Sequence, residues 1–528
     1  MHVYELPQMT EIDSPIIEFP EVDRLRTDSL AASMVMLLGL TAAQRLVGFL
    51  RGILFCRWLD AEKLGQWDMA FGFLILAAPL AVFGLPGSFG RYVEYYRQRG
   101  QLRPFLRRTA GWIALLAAAA VLAVAGARSW FSDLAFGSAE YGNLMLLLAV
   151  GLGVLIVDNC FTSLYTALRQ IKFVSLMQFT NSLLFAVLGM GLLLTWKAET
   201  ASIVVAFVAS YCITATISIA WWHRIRRTLP RTSAALPPRS MRTRVLPFAF
   251  GLWIVNLLSN LSGIADRFMI VHFSGLPAAG ALNMVGQYHT ARIFPVLFFG
   301  VAELLGAIMT PHLSADWEAG QRAKVSQRLV LTIKVFGVGL VAAAIVVLLI
   351  APVLFGLVWQ NRYAGGLAVL PWALMCSVWA GLAAISYNYL WCAEKPHLVC
   401  WTLLASLAIN VGLNLLLLSP LGLMGAALSA TIARGASLAL LWWLSSRLGM
   451  RVDRGLVVVA ALPLALCLGP WAALFVLAVV LLEGIPGIRC LNPQEKQQVA
   501  RTIADLWRKL KRLKGAAKTP LTLGSVKQ

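Results

Sequence analysis

Apolar and polar positions alternate along this chain on a scale of about twenty residues, not two or four. The first apolar run, 29–59, reads SLAASMVMLLGLTAAQRLVGFLRGILFCRWL, and similar runs follow it almost to the end. The pattern predicts fourteen spans, at 30–56, 67–90, 109–127, 142–166, 173–196, 200–222, 247–273, 281–309, 329–350, 366–392, 398–419, 422–446, 455–469 and 470–484. Runs of that length fit the ~30 Å hydrocarbon core of a bilayer as helices. Strands of a membrane barrel would be about half as long and would alternate apolar with polar. The expected fold is therefore an all-α integral membrane protein with about 14 transmembrane helices.

The polar stretches divide those spans. Residues 1–28 carry seven acids against Arg24 and Arg26, with no basic, apolar and small-residue sequence of a signal peptide. They read as a disordered tail. Six spans occupy 29–222, a basic, proline-bearing linker fills 223–246, and six more spans fill 247–446. The segment 447–484 looks like an appended hairpin whose two spans, 455–484, are the most purely apolar, and a basic tail covers 485–528. In that tail Asn492-Pro493 is a good helix start, and Val499, Ile503, Leu506, Leu510 and Leu513 then recur at steps of 4, 3, 4 and 3. This is a basic amphipathic helix suited to the anionic lipids of the inner leaflet. The halves echo each other: Gly65 and Gly280 each open a span, and ALRQIKF and CAEKPHL break the two halves at similar offsets. Both halves start on the same side, which predicts two six-helix lobes as parallel repeats.

Composition sharpens the class. The chain is 59% hydrophobic and only 13% charged, about half the charge of a soluble domain. The net charge of +21 raises nucleic acid as a partner, but most Lys and Arg fall in the termini and alternate loops. That is the positive-inside asymmetry, so the expectation is two cytoplasmic termini and no nucleic-acid role. Eight cysteines lie singly, with no metal-ligand or disulfide pattern. No phosphate-cradling loop is present and the six histidines are dispersed, His272 and His289 reading as packed, so the chain is expected not to be an enzyme and to need no cofactor or metal.

The candidate chemistry is the set of polar groups inside spans. Arg45 and Arg51 stand in the first run. An arginine at the middle of a span costs roughly 2.5–3.5 kcal/mol on insertion scales, so such residues turn toward a polar cavity or a partner. The two are about 240° apart on a helical wheel, which calls for a broad cavity or a bend at Gly48 or Gly52. The alternative is that each snorkels or pairs with Asp158 or Asp266. In the fourth span Asp158, Thr162, Tyr165 and Arg169 share one face. In the seventh, Asn256, Asn260, Gly263 and Arg267 share a face beside Ser259, Ser262 and Asp266. The eighth holds Arg292 and Glu303, about 16 Å apart along one face with Pro295 between, and the twelfth holds Arg434. The acids Asp158, Asp266 and Glu303 are candidates for proton or sodium coupling, or equally for static partners of the arginines.

Three stretches carry a resemblance: FLRGILFCRWLDAEKLGQWDMAF, ADRFMIVHFSGLPAAGALNMVGQYHTARIF and NVGLNLLLLSPLGLMGAALSAT. In their order and spacing, over roughly 30–446, the chain resembles the polysaccharide-export (Wzx-type) flippases of the multidrug/oligosaccharidyl-lipid/polysaccharide superfamily. QRLVGFLR is also similar to the first helix of lipid II flippases, whereas GLPGSFGRYVEYYR looks more like the exporters. The resemblance implies alternating access by two lobes, and it implies substrate contact by Arg45, Arg51 and Arg292 in a cationic cavity.

The expected function is therefore to flip an undecaprenyl-diphosphate-type oligosaccharide across a bacterial cytoplasmic membrane. Arg45, Arg51, Arg267, Arg292, Arg434, Asn256 and Asn260 would line its path. The polysaccharide polymerase or export machinery is a candidate partner. A lipid II flippase and a cation-coupled multidrug antiporter are the alternatives.

Overall fold

The computed structural model describes residues 30–228, 241–482, 490–498 and 501, with side chains from 39 onward in the first helix. The acidic tail, most of the linker's middle and nearly all of the amphipathic stretch lie outside the described residues. Every element among them is helical. Eleven helices are long and apolar enough, by length and composition, to cross a membrane. Helix α1 (Leu30–Trp58) is as long as these at 29 residues. The two pieces of the expected terminal hairpin are shorter. Its first piece begins as an α-helix at Arg454–Ala461 and tightens to a 3-10 helix at Leu462–Leu468; its second is the 12-residue helix Pro470–Leu481. The last two of the fourteen expected spans are thus too short to count on length.

The chain forms two compact units, Met1–Thr290 and Ala291–Gln528. In the first, α2 (Ala61–Ala81) starts where Asp60 caps it by accepting a hydrogen bond from the Lys63 amide at 2.9 Å. The expected span to residue 90 stops early. Phe83 and Gly84 both take positive φ, a 3-10 turn follows at Leu85–Ser88, and α3 (Phe89–Gln98) leaves as a separate amphipathic helix. Gly84 is needed twice over, since a Cβ there would sit 2.5 Å from the Ala249 carbonyl oxygen. Tyr92 of α3 donates to the Arg244 carbonyl at 2.8 Å, and burial pushes its hydroxyl pKa up.

Next come α4 (Leu102–Gly126), α5 (Arg128–Phe136), α6 (Gly142–Ala167), α7 (Ile171–Thr195) and α8 (Thr200–Thr228). Helix α6 is the hub, packed by α2, α3, α4, α5, α7 and α8, while α1 lies on α7 and α7 on α8. Rings of Phe55, Trp67, Phe71, Phe185 and Phe207 interlock at 5.5–6.0 Å and fill the centre. Helix α9 (Leu246–Phe273) packs on α2 in the same unit. The start of α10 (Ala278–Glu318) crosses α2 so closely that a Cβ on Gly65 would meet the Leu282 carbonyl oxygen at 1.8 Å. A Cβ on Gly286 would meet that of Ala61 at the same distance, so two glycines set this approach. Gly280, the residue matched to Gly65 in the sequence repeat, meets only its own helix start.

The second unit has α12 (Ala364–Cys392) at its centre, against α11 (Arg322–Val353), α14 (Leu423–Arg447) and the 3-10 helix at 462–468. Helix α13 (Pro396–Leu421) joins α14 through Gly422, at φ 55°. The helices pack closely after that turn: a Cβ on Gly425 would lie 2.1 Å from the Leu417 carbonyl oxygen. Lys334 of α11 is fully buried, yet its ammonium reaches Asp453 at 2.5 Å and Glu495 at 2.9 Å. Asp453 caps the helix at 454–461 and Glu495 accepts from the Asn492 amide, so one lysine ties down two chain segments at their helix starts.

Candidate functional site

A cavity of about 510 Å³ opens inside the first unit, enclosed mainly by α1, α6, α7 and α8. It draws Thr41, Gln44, Arg45, Gly48 and Arg51 from α1. Steps of 3 and 4 along that helix put an apolar chain's polar residues on one broad side. Arg45 and Arg51 both reach this one space despite their angular separation, because the cavity is wide and both side chains are long. Arg51 lies over the Phe185 ring at 4.1 Å, a cation–π contact made at the cavity wall.

Helix α6 adds Asp158, Thr162 and Tyr165, three of the four residues expected to share a face. The fourth, Arg169, comes after the helix end, exposed and at φ 60°. Tyr165 donates to the Ser218 carbonyl at 2.6 Å, which joins α6 to α8 at the cavity edge. The sequence reading missed the neutral wall from α7, which is Gln178, Asn181 and Ser182. Their spacing was a usable signal, since an amide and a hydroxyl at steps of 3 and 4 from Gln178 in an apolar helix mark a polar side. Ser182 donates to the Gln44 carbonyl at 3.3 Å, Asn181 hydrogen-bonds Tyr211, and the Asn181 Oδ1 is buried with no partner. Among the described lining residues, two arginines face one carboxylate. Such a cavity can accept an anion through its guanidiniums and hydroxyl groups through its amides.

The other expected site residues stand elsewhere. Arg267 is off this cavity, buried on α9, where it donates to Asp68 Oδ1 at 2.9 Å and to the Gly263 carbonyl at 2.5 Å. His289 Nδ1 lies 3.0 Å from the same carboxylate oxygen, and Tyr288 donates to Asp266 at 3.0 Å. Asp68 had given no signal of its own, because an acid beside Trp67 near a span start looks interfacial. Here it compensates a buried arginine from 199 residues away in the chain. Asn256 is exposed and Asn260 half-buried on α9, neither lining the 510 Å³ cavity. Arg292, Glu303 and Arg434 belong to the second unit, half-buried, exposed and half-buried in turn.

Residues 30–303, just over half of the chain, match the family described as polysaccharide biosynthesis protein. The chain belongs to that family. No curated protein matches it in sequence. Solved structures give the fold of this chain a wider setting. It is similar to a lipid II flippase, MurJ, in an inward closed conformation, at TM-score 0.67 and 12% identity over 84% of this chain and 97% of that one. It is also similar to an inward-facing multidrug resistance MATE transporter of the MOP superfamily, at TM-score 0.62 and 15% identity, covering 80% and 100%. A third is a MOP superfamily transporter from Pyrococcus furiosus described as having a binding pocket of reverse polarity, at TM-score 0.57 and 15% identity, covering 79% and 94%. At these identities the likeness establishes a MATE-like, multi-pass membrane fold.

Proposed function

We propose that this protein is a flippase that carries a lipid-linked oligosaccharide of the undecaprenyl-diphosphate type across the bacterial cytoplasmic membrane by alternating access. The observation that carries the reading is the convergence of Arg45 and Arg51 with the neutral α7 wall on one intramembrane cavity. A diphosphate needs fixed positive charge to leave water, and arginine supplies it without losing its proton. The amides of Gln178 and Asn181 suit sugar hydroxyls, and the unpartnered Asn181 Oδ1 is a ready acceptor for one. Membership of a polysaccharide biosynthesis family supports the same cargo. The lipid tail would remain in the bilayer while the headgroup crosses. Both termini would be cytoplasmic by the charge asymmetry of the loops, and polymerase or export machinery would receive the product outside.

Arg267 serves in this reading as a structural partner of Asp68. Arg292, Arg434, Asn256 and Asn260 stay as candidate contacts along the path. Asp158, which lines the same cavity as both arginines, is the acid best placed to couple transport to a cation; Asp266 and Glu303 are the other two candidates. One alternative cargo is lipid II, which the fold likeness to MurJ favours. A multidrug antiporter for cationic compounds is disfavoured by the two arginines. Mass spectrometry of lipid-linked intermediates after depletion separates these. Accumulated lipid-linked oligosaccharide is expected; accumulated lipid II would transfer the protein to cell-wall synthesis, and two unchanged pools with altered drug sensitivity would overturn the flippase reading.

A further inference from the structure

A second, larger cleft of about 1290 Å³ lies on the outside of the first unit. Its walls are the first turns of α4 and the last turns of α8, and its floor is α6. On α4, Arg108, Trp112 and Leu115 follow at steps of 4 and 3, so they share one face over about 10 Å. On α8, Trp222 and Arg226 stand one turn apart in the reverse chain order, indole before guanidinium. The arginine ends of the two walls are joined, since Arg103 Nη2 donates to the Arg226 carbonyl at 2.7 Å. Five guanidiniums, of Arg103, Arg107, Arg108, Arg226 and Arg227, meet there, and no carboxylate stands among the described lining residues. Away from that end the cleft turns apolar and opens sideways: Trp112 is 48% and Leu115 60% exposed.

The gradient from guanidinium through indole to aliphatic is that of a phospholipid read from headgroup to acyl chain. Basic pockets between membrane helices on the cytoplasmic side suit anionic head groups, and arginine forks match phosphate oxygens. A free phosphate would leave the apolar 10 Å of both walls unused. The cleft is also separate from the transport cavity. Asp158, Thr162 and Tyr165 of α6 face that cavity, whereas Phe161 and Leu164 floor the cleft from a side about 100° round the same helix.

The geometry points to a site for an anionic glycerophospholipid of the inner leaflet, its phosphate among the five arginines and one acyl chain against Trp112 and Leu115. The inference goes beyond the flippase reading and rests only on its assignment of the arginine-rich end to the cytoplasmic side. A lipid held there would fix α4 and α8 against α6, the helix that also walls the cavity.

Native mass spectrometry of the full-length protein in detergent tests it, with phosphatidylglycerol, phosphatidylcholine of the same chains, undecaprenyl phosphate and inorganic phosphate as probes. The expected result is a retained phosphatidylglycerol adduct, bound about tenfold more tightly than phosphatidylcholine. The double variant Arg107→Gln/Arg108→Gln should erase that preference, and the exposed-site control Arg169→Gln should keep it. Gly111→Asp is a second route, because a Cβ at Gly111 meets nothing within 4 Å and the new carboxylate would repel the phosphate without disturbing the fold. Equal binding of the two phospholipids would overturn the site, as would undiminished preference in both variants. Full displacement by inorganic phosphate would reduce it to an anion site, and displacement by undecaprenyl phosphate would assign the cleft to the cargo. Adducts are read without transport, so failure here leaves the flippase reading untouched.

Discussion

Two buried cations in this molecule have opposite surroundings. Lys334, in the second unit, is met by Asp453 and Glu495 at hydrogen-bond distance and has no exposure at all. Arg51, in the first unit, rests on the face of Phe185 and lines a cavity of about 510 Å³ beside Arg45. A cation enclosed by carboxylates has spent its field on them and holds the fold together. A cation whose outer side is open space keeps its field for something that enters. The same distinction sorts Arg267, which Asp68 compensates, from Arg51 of α1.

The contrast can be broken by mutation. The largest expected loss of stability is Lys334→Met, which leaves two carboxylates facing one another without their cation, at a cost of about 3–5 kcal/mol. It should show as a strongly lowered thermal unfolding temperature in detergent, largely restored when Asp453→Asn and Glu495→Gln are added. Asp68→Asn comes next, at about 3 kcal/mol, because Arg267 would stay buried without its counter-charge; the same thermal assay checks it. Gly65→Ala should cost about 1–3 kcal/mol, since the backbones of α2 and α10 must separate. Arg51→Ala and Arg45→Ala should each change stability by less than about 1 kcal/mol, while export falls at least about tenfold, as expected for losing a charge-assisted contact. Smallest is Asn181→Ala, with near-wild-type stability and a loss of about 1 kcal/mol in cargo affinity.

The same contrast shows what the sequence made legible. Helix positions followed from apolar run length, and most ends fell within a few residues because glycine and proline punctuate the chain. The end of the span expected at 67–90 was not legible, since the full stop at GLPG with a new helix behind it depends on Gly84 pressing against Ala249. Arg45, Arg51, Asp158, Thr162 and Tyr165 could be read because charge and hydroxyls stand out in apolar helices. Asn181 and Gln178 were less conspicuous, being neutral. The partners of Lys334 lie 119 and 161 residues away, and that of Arg267 lies 199 away, so no local pattern can report them. Sequence therefore shows which groups are unusual in a membrane; only packing shows which of them are already compensated.

The most direct test of the central claim is the pool of lipid-linked oligosaccharide in cells whose only copy of the protein is Arg45→Ala or Arg51→Ala. The account predicts normal membrane levels of both variants, with the intermediate accumulating as it does on depletion. Normal export by both variants at normal levels would contradict it, and the cavity arginines would then belong to the fold.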